Sequence, residues 1–388
     1  MLKKNDLERK VPKTFPPKGE RLYPTAWKLM AIALRPRLHC LYGAFGRKTR
    51  RLILNQGFEY RVQIDGRGGG LTVLAYLARN YRHSSEEEWQ NRLEHGELAL
   101  DGLRALADDV LKPGQRLVWR RPPWEELDVP LCFAVLYEDE DVLAVAKPSG
   151  LPTIPAGGFL EHTLLALVRK RTPKATPMHR LGRGTSGVVL FARSDLARSE
   201  LSAAFRRKEV RKTYRALSSG IPTEERFIME THIGPVPHPL LGTVHAACTA
   251  GKPALSRIHI LERRRDASLL EVTIETGRPH QIRIHLAAAG HPLVGDPLYT
   301  DGGKLKDSGV ALPGDTGYWL HAERLSLCHP ATGSPFEVWC CPPPELRFGS
   351  RRDGGEEFER TDIRNLRGGR CPAETRVTPF EGDLNVKG

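Results

Sequence analysis

The sequence predicts an α+β protein with a mixed, mainly antiparallel sheet and flanking helices. Strand-like runs follow one another closely from residue 131 to about residue 345, with few helical segments between them, and this arrangement favours antiparallel pairing. The run SLLEVTIET alternates between apolar and polar residues, and TSGVVLFARS contains an almost continuously apolar strand. With 388 residues, 40% of them hydrophobic, the chain can form one large domain and a smaller one.

The chain divides into four segments by composition and pattern. Residues 1–56 are basic, contain proline and are weakly periodic, which predicts an N-terminal extension. Residues 57–122 predict a small compact module, residues 131–345 the large domain, and RPPWEELDVP a linker between them. Residues 346–388 are rich in Arg, Glu and Gly and poor in large apolar side chains, so we expect them to be disordered.

The small module shows two helical segments followed by short strands. LTVLAYLARNY has helical spacing, and SSEEEWQNRLEHG opens with a Ser-x-x-Glu capping pattern and ends at a glycine. ELALDG and LKPGQRLVWRR then indicate strands joined by turns.

The large domain begins with two strand-like runs around an acidic turn, in FAVLYEDEDVLAVAKPSG. SDLARSELSAAFRRKE predicts an amphipathic helix with Ser194 as its N-cap, and KTYRALSSG returns to a strand. In GRPHQIRIHLAAAG, Pro279 suits the first helical position and Gly290 the end of the helix.

The charge distribution indicates a polyanionic partner. The formal net charge is +13, but residues 1–52 and residues 169–215 each carry 14 Lys or Arg against 3 Asp or Glu, so the rest of the chain is net acidic. Two concentrated basic blocks favour nucleic-acid binding, although the first block could be only a solvated tail. No apolar run is long enough to span a membrane, and neither a secretory signal nor a typical transit peptide is apparent.

The cysteines predict neither a metal site nor a disulfide framework. Seven are scattered along the chain with no Cys-x-x-Cys pair. This pattern is typical of reduced thiols in a cytoplasmic protein.

Three short segments carry candidate functional residues. HRLGRGTSG places Arg180, Arg183 and Thr185 around a glycine-rich turn, which a phosphodiester could approach closely. KTYRAL places Tyr214 between basic residues, including Lys212, where it could stack on a nucleobase.

The third segment, GRPHQIRIH, places His280 and Arg283 three residues apart, predicted on one helical face near the positive end of the helix. Each segment also has a purely structural alternative. HRLGRGTSG could be a basic turn that leads into a core strand, Tyr214 could be a packing residue, and His280 and Arg283 could take part in a structural salt bridge.

Taken together, these segments resemble the RluA family of RNA pseudouridine synthases from about residue 57 to residue 345. YEDEDVLAVAKPSGLP is similar to the first signature of that family, and HRLGRGTSG to its His-Arg-Leu-Asp-x-x-Thr-Ser-Gly loop. GRPHQIRIHLAAAGHPLVGDPLY and LHAERLSLCHP are similar to its late signature and closing strand. The front module also resembles the small RNA-binding module found in many of these enzymes.

The resemblance implies an enzyme that isomerises uridine in RNA, without metal or cofactor, by detaching uracil from C1′ and rejoining it through C5. It implies the pseudouridine synthase fold, a basic cleft and a target base flipped out of its stack. Tyr214 matches the base-stacking tyrosine of the family, and Arg283 the arginine that pairs with the catalytic aspartate. The partner is then RNA, with ribosomal or transfer RNA expected, and the protein is expected to be monomeric.

The position of that catalytic aspartate is Gly182. Glycine can neither add to the sugar or base nor take a proton, and Arg283 would lose its usual partner. Asp195, Asp296 and Glu275 are the candidate substitutes, although Asp195 follows a whole strand and Asp296 is expected to cap a turn. Two hypotheses remain open: a pseudouridine synthase with a displaced catalytic group, or an RNA-binding or RNA-folding factor that uses the same cleft.

Overall fold

The computed structural model describes residues 54–306 and 311–349, together with the backbone of residues 376 and 377. The predicted extension, except its last three residues, and most of the predicted disordered tail lie outside these ranges. The first residues of that tail are ordered, contrary to the prediction, since Leu346 is fully buried in a cluster with Leu217 and Leu269. Hydrogen bonds from Arg264 to the carbonyls of Glu345 and Arg347 also hold this end of the chain on the sheet.

The small module consists of a four-stranded antiparallel sheet, in the order β1-β4-β2-β3, and two helices. Its elements are β1 (Phe58–Gln63), α1 (Val73–Asn80), α2 (Glu86–Glu94), β2 (Leu98–Leu100), β3 (Leu103–Arg104) and β4 (Arg116–Arg121). Ser85 and Glu88 form the predicted capping box, and Gly96 follows α2 with a positive φ. Strand β1 is not among the predicted elements, although FEYRVQ alternates; its side chains are exposed or half-buried.

The large domain contains three further helices and fifteen further strands among the described residues. The helices are α3 (Leu164–Arg171), α4 (Asp195–Arg207) and α5 (Gln281–Ala288). The strands are β5 (Ala134–Glu138), β6 (Val142–Lys147), β7 (Thr176–Pro177), β8 (Ser186–Ala192), β9 (Arg211–Ser219), β10 (Arg226–Met229), β11 (Ile233–His238), β12 (Gly242–Ala247), β13 (Ser256–Arg263), β14 (Ala267–Ile274), β15 (Tyr299–Thr300), β16 (Lys304–Leu305), β17 (Leu320–Cys328), β18 (Pro335–Trp339) and β19 (Arg376–Val377).

Eleven of these strands form one mixed sheet, with the order β10-β13-β14-β9-β17-β8-β6-β5-β19 and with β18 and β7 paired to β17 and β8. Within the described part of the chain, only β17 and β8 pair in parallel; the other neighbours are antiparallel. Strands β11 and β12 form a separate hairpin, as do β15 and β16. The predicted α+β class with a mainly antiparallel sheet is confirmed.

Strand β8 explains why its sequence is apolar at every position. Val188 and Leu190 point to one face of the sheet, into a core shared with α4, while Val189 and Phe191 point to the other face. Because successive side chains of a strand alternate between faces, a strand covered on both sides must be apolar throughout. The predicted helix α4 begins as expected, with the Ser194 hydroxyl accepting from the Ala197 N–H.

Helix α5 begins two residues later than predicted, at Gln281. His280 has φ 55°, in the left-handed region, so it ends the preceding loop and cannot belong to the helix. Pro279 is therefore not the first helical residue, and His280 and Arg283 do not share a helical face. Gly290 follows the helix with φ +78°, as predicted for its C-terminal end.

Candidate active site

The loop that joins β7 to β8 carries the HRLGRGTSG segment, and the chain after β6 holds it in place. The Ser149 hydroxyl donates to the Gly184 carbonyl over 2.8 Å. The Thr153 hydroxyl donates to the Leu181 carbonyl over 2.9 Å and accepts from the Leu181 N–H over 3.2 Å. Residues 149–153 therefore fix the backbone of the loop on both sides of residue 182.

Lys147, at the end of β6, is buried beneath the same loop with a side-chain amine that contacts only carbonyl groups. Its Nζ donates to the carbonyls of Pro148 (2.9 Å), Leu151 (2.7 Å) and Arg183 (3.3 Å). Burial, with a smaller contribution from the charge of Arg183, lowers the pKa of Lys147 to about 7. The amine therefore exists in both protonation states near neutral pH.

Arg283, on α5, forms a buried bidentate ion pair with Asp296. Its Nε lies 2.7 Å from Asp296 Oδ2, and its Nη2 lies 2.7 Å from Oδ1; the two side chains are 2% and 1% exposed. Asp296 Oδ1 also accepts the backbone N–H groups of Leu298 and Tyr299. Burial opposes the charge on Arg283, but the hydrogen bonds that Arg283 donates to Asp296, together with the negative charge of that carboxylate, outweigh it, and the pKa of Arg283 is raised.

Of the three candidate acids, Asp296 is thus the one that pairs with Arg283. The capping role expected for Asp296 is also present, since its carboxylate fixes the turn that leads to β15. Because both of its oxygens accept hydrogen bonds within the protein, the arrangement orients Arg283 firmly. Asp195 is 91% exposed and pairs with Arg198, and Glu275 pairs with Arg257 on an exposed surface, so neither contacts this site.

Gly182 is exposed, and its backbone does not require glycine. Its φ lies outside the left-handed region, and its carbonyl accepts the Thr185 N–H over 3.0 Å. A Cβ atom at this position would lie 3.0 Å from the Tyr318 hydroxyl and 3.6 Å from the Thr185 hydroxyl. The ring of Tyr318 lies under the Arg283 guanidinium, with 4.2 Å between the guanidinium carbon and the ring centroid.

His280 lies at the same site through its contact with Tyr299. Its Nδ1 is 2.7 Å from the Tyr299 hydroxyl, which donates to the His245 carbonyl; since the hydroxyl has one proton, His280 Nδ1–H is the donor between the two. Burial, aided by the charges of Arg283 and Arg180, lowers the pKa of His280 to about 3. His280 is therefore neutral at physiological pH.

The other candidate residues occupy different depths around the loop. Tyr214, on β9, is buried in the same hydrophobic cluster as Tyr318, and burial raises its pKa to about 12. Arg180 is exposed, whereas Arg183 Nε donates to the Gly314 carbonyl over 2.8 Å. Lys212 is half-buried, and burial lowers its pKa.

Thr185 is buried, with its hydroxyl 3.2 Å from that of Tyr318. It therefore lies inside the loop and not on its outer surface. Among the described residues, no group of three or more His, Cys, Asp or Glu side chains is arranged to hold a metal ion.

Sequence reasoning missed two kinds of residue at this site and left one pairing open. Lys147 and Ser149 belong to the YEDEDVLAVAKPSGLP motif and Thr153 follows it directly, yet the hydrogen bonds of all three to the loop depend on tertiary contacts. Tyr318 precedes the closing strand and gives no local signal. The pairing of Arg283 with Asp296 was left open, because the two residues meet only through the turn that follows α5.

Comparison with known proteins places these features in a family. Residues 141–288 match the sequence model of the family described as RNA pseudouridylate synthase. An uncharacterised RNA pseudouridine synthase of Synechocystis sp. is 44% identical over 276 residues, which cover 71% of this chain and 95% of that protein. RNA pseudouridine synthase 5 of Oryza sativa is 36% identical, with coverage of 73% and 86%.

A third relative carries a more specific name. Ribosomal large subunit pseudouridine synthase D of Neisseria meningitidis is 34% identical over 288 residues, covering 70% of this chain and 75% of that protein. None of the helices among the described residues is long and apolar enough to cross a membrane. These matches agree with the mixed sheet, the loop around Gly182 and the buried arginine described above. The chain belongs to the RNA pseudouridine synthase family.

Proposed function

We propose that this protein isomerises uridine to pseudouridine in a structured RNA at the site around Gly182, Arg283 and Asp296. The observation that carries the proposal is the buried Arg283–Asp296 pair beside the exposed Gly182 turn. The pair also fixes the turn before β15, and at the site itself it provides a permanent, oriented positive charge that could stabilise negative charge developing in a reaction.

The proposed roles follow from depth and charge. The exposed Arg180 and the partly exposed Arg183 and Lys212 would bind RNA phosphates around the loop. Tyr214, which is buried in the same hydrophobic cluster as Tyr318, would contact the target base once it is flipped out of its stack. His280, held neutral, would act as a polar contact without adding charge, while Thr185 supports the loop from within.

We propose ribosomal or transfer RNA as the substrate, and ribosomal RNA is favoured because one of the relatives is named for the large ribosomal subunit. The basic block at residues 169–215 includes the loop and α4, and it supports a polyanionic partner. We also propose a cytoplasmic monomer, which size-exclusion chromatography with light scattering would test.

One observation favours a second function. Gly182 supplies no carboxyl group, and the carboxylate of Asp296 is fully engaged with Arg283, Leu298 and Tyr299. An RNA-binding or RNA-folding factor would need the cleft but no reactive group.

Both functions predict salt-sensitive RNA binding, so the deciding experiment measures chemistry. The purified full chain is incubated with ribosomal and transfer RNA transcripts, and pseudouridine is mapped at nucleotide resolution. Formation of pseudouridine at a defined uridine supports the enzyme; tight binding with no pseudouridine in any transcript supports the binding factor. If Gly182→Asp then creates activity in an inactive natural protein, the loop lacked only its acid.

A further inference from the structure

We infer that the Tyr318 hydroxyl occupies the place of the missing carboxyl group and carries protons during the isomerisation. This inference rests on the proposed function, because it assigns a reacting group to the same site. It concerns a residue that neither the sequence motifs nor the family resemblance singled out.

The Tyr318 side chain fills the space beside two glycines of the loop. A Cβ at Gly182 would lie 3.0 Å from the Tyr318 hydroxyl, and a Cβ at Gly184 would lie 2.9 Å from two carbons of the Tyr318 ring. Neither glycine has a φ in the left-handed region, so backbone conformation does not require glycine at either position. The two glycines are explained together as the space that one tyrosine ring needs against the loop.

Tyr318 also lies next to a fixed positive charge. The Arg283 guanidinium lies 4.2 Å from the centroid of the Tyr318 ring, a cation–π contact in a site shielded from water. A fixed positive charge beside a hydroxyl stabilises negative charge that develops on its oxygen. Asp296 holds the guanidinium by two hydrogen bonds, so the charge does not need to reorganise during the reaction.

The Tyr318 hydroxyl lies beneath an exposed glycine. Tyr318 is 5% exposed, and its hydroxyl has one neighbouring hydroxyl among the described side chains, that of Thr185 at 3.2 Å. The exposed Gly182 lies directly over it without a side chain. A nucleoside placed against Gly182 would therefore contact the phenol where an aspartate would otherwise project.

A phenol can serve as both the acid and the base of this isomerisation. When the N1–C1′ bond breaks, its electron pair goes to N1 of uracil, and the Tyr318 O–H donates its proton to N1. This leaves a neutral uracil, a cationic C1′ and a phenolate beside Arg283. After the base rotates, C5 forms a bond to C1′, and the phenolate takes the proton from C5. One proton moves from C5 to N1, and Tyr318 returns to its starting form.

The test is Tyr318→Phe, which keeps the ring against Gly184 and Arg283 and removes only the hydroxyl. Loss of a general acid and base is expected to lower the single-turnover rate by about 10²- to 10⁴-fold, with RNA affinity changed less than about twofold. Tyr137→Phe is the matched control, since Tyr137 lies on β5 and its hydroxyl donates to Asp139, away from the site. Rates are compared below the melting temperature of both variants.

A rescue experiment separates proton transfer from a merely structural role. Tyr318→Phe removes the oxygen that lies 3.0 Å from the Cβ position of residue 182, so Gly182→Asp in that background has room for a carboxylate. We expect this double variant to react at least tenfold faster than Tyr318→Phe. In Gly182→Asp alone the Tyr318 hydroxyl crowds the new side chain, so its rate should not exceed that of the natural protein.

The outcomes distinguish the inference from the proposed function. A natural protein that forms no pseudouridine on any ribosomal or transfer RNA overturns both. A natural protein that is active, with Tyr318→Phe equally active, overturns only the role of Tyr318. Loss of activity in Tyr318→Phe without recovery in the double variant also counts against proton transfer, because a packing defect would behave in that way.

Discussion

Lys147 and Arg283 are two buried cations around one loop, and the protein holds them in opposite ways. Arg283 faces a carboxylate that is itself fixed by two backbone N–H groups. Lys147 faces three backbone carbonyls and no acid. Both lie close to the segment around Gly182. Arg283 contacts the ring of Tyr318, which packs against this segment, and Lys147 donates to the carbonyl of Arg183 within it.

Of the two buried charges, only that of Arg283 is fixed. The ion pair raises the pKa of Arg283, which therefore stays protonated at every accessible pH. Burial among dipoles lowers the pKa of Lys147 to about 7, so that side chain changes its charge near neutrality. The guanidinium of Arg283 is suited to a permanent electrostatic role in the site. The side chain of Lys147 is suited to holding the backbone of the loop through its hydrogen bonds to carbonyl groups.

The largest effect is expected from Asp296→Asn, which removes the carboxylate that pairs with Arg283. A buried guanidinium without its carboxylate should lower the free energy of unfolding by about 3–5 kcal/mol, measured by urea denaturation. Asp195→Asn, at an exposed pair, is the control and should change it by less than about 0.5 kcal/mol. A loss below about 1 kcal/mol in Asp296→Asn would mean that Arg283 does not depend on this acid.

Lys147→Met tests the other cation, and its effect should depend on pH. The variant leaves three carbonyls without their donor, a loss of about 1–3 kcal/mol. Between pH 7 and pH 10.5 the unfolded chain binds the Lys147 proton and the folded chain does not, so stability from this group rises with pH through that window, by at most about 1.4 kcal/mol per pH unit.

The deficit of Lys147→Met relative to the natural protein should therefore be smaller at pH 6 than at pH 9, in urea titrations at the two pH values. Lys174→Met, at an exposed position, should show no such difference. A deficit that is independent of pH would show that Lys147 keeps its proton on folding.

A smaller effect is expected from Thr153→Val, which removes both hydrogen bonds to Leu181 while keeping the shape of the side chain. We expect a loss of about 1 kcal/mol in stability, and a lower rate of pseudouridine formation than in Thr176→Val, on the neighbouring strand β7. Equal rates in the two variants would show that the loop does not need this support.

Replacement of the remaining acids should have the smallest effect. Glu275→Gln and Asp195→Asn alter exposed ion pairs away from the site, so rates of pseudouridine formation should stay within about twofold of the natural protein. A loss of activity beyond about tenfold in either variant would identify a reacting acid outside the site described above.

The strands of the large sheet and the helices of the small module could be predicted from the sequence because their apolar periodicity is strong. Strand β8 and the capping box at Ser85 are examples. The partner of Arg283 could not be assigned, since Asp296 lies 13 residues away and reaches it only through a turn. Tyr318 gave no pattern at all, and the left-handed backbone of His280 shifted the start of α5.

A pseudouridine map of total RNA would show whether the protein is an enzyme, taken from cells that lack the gene and from the same cells supplied with the natural protein or with Arg283→Lys. We expect at least one uridine to lose its modification in the deletion. The natural protein should restore it, whereas a lysine, which cannot form the bidentate pair with Asp296, should not. An identical map with and without the gene would show that the protein does not form pseudouridine in these cells.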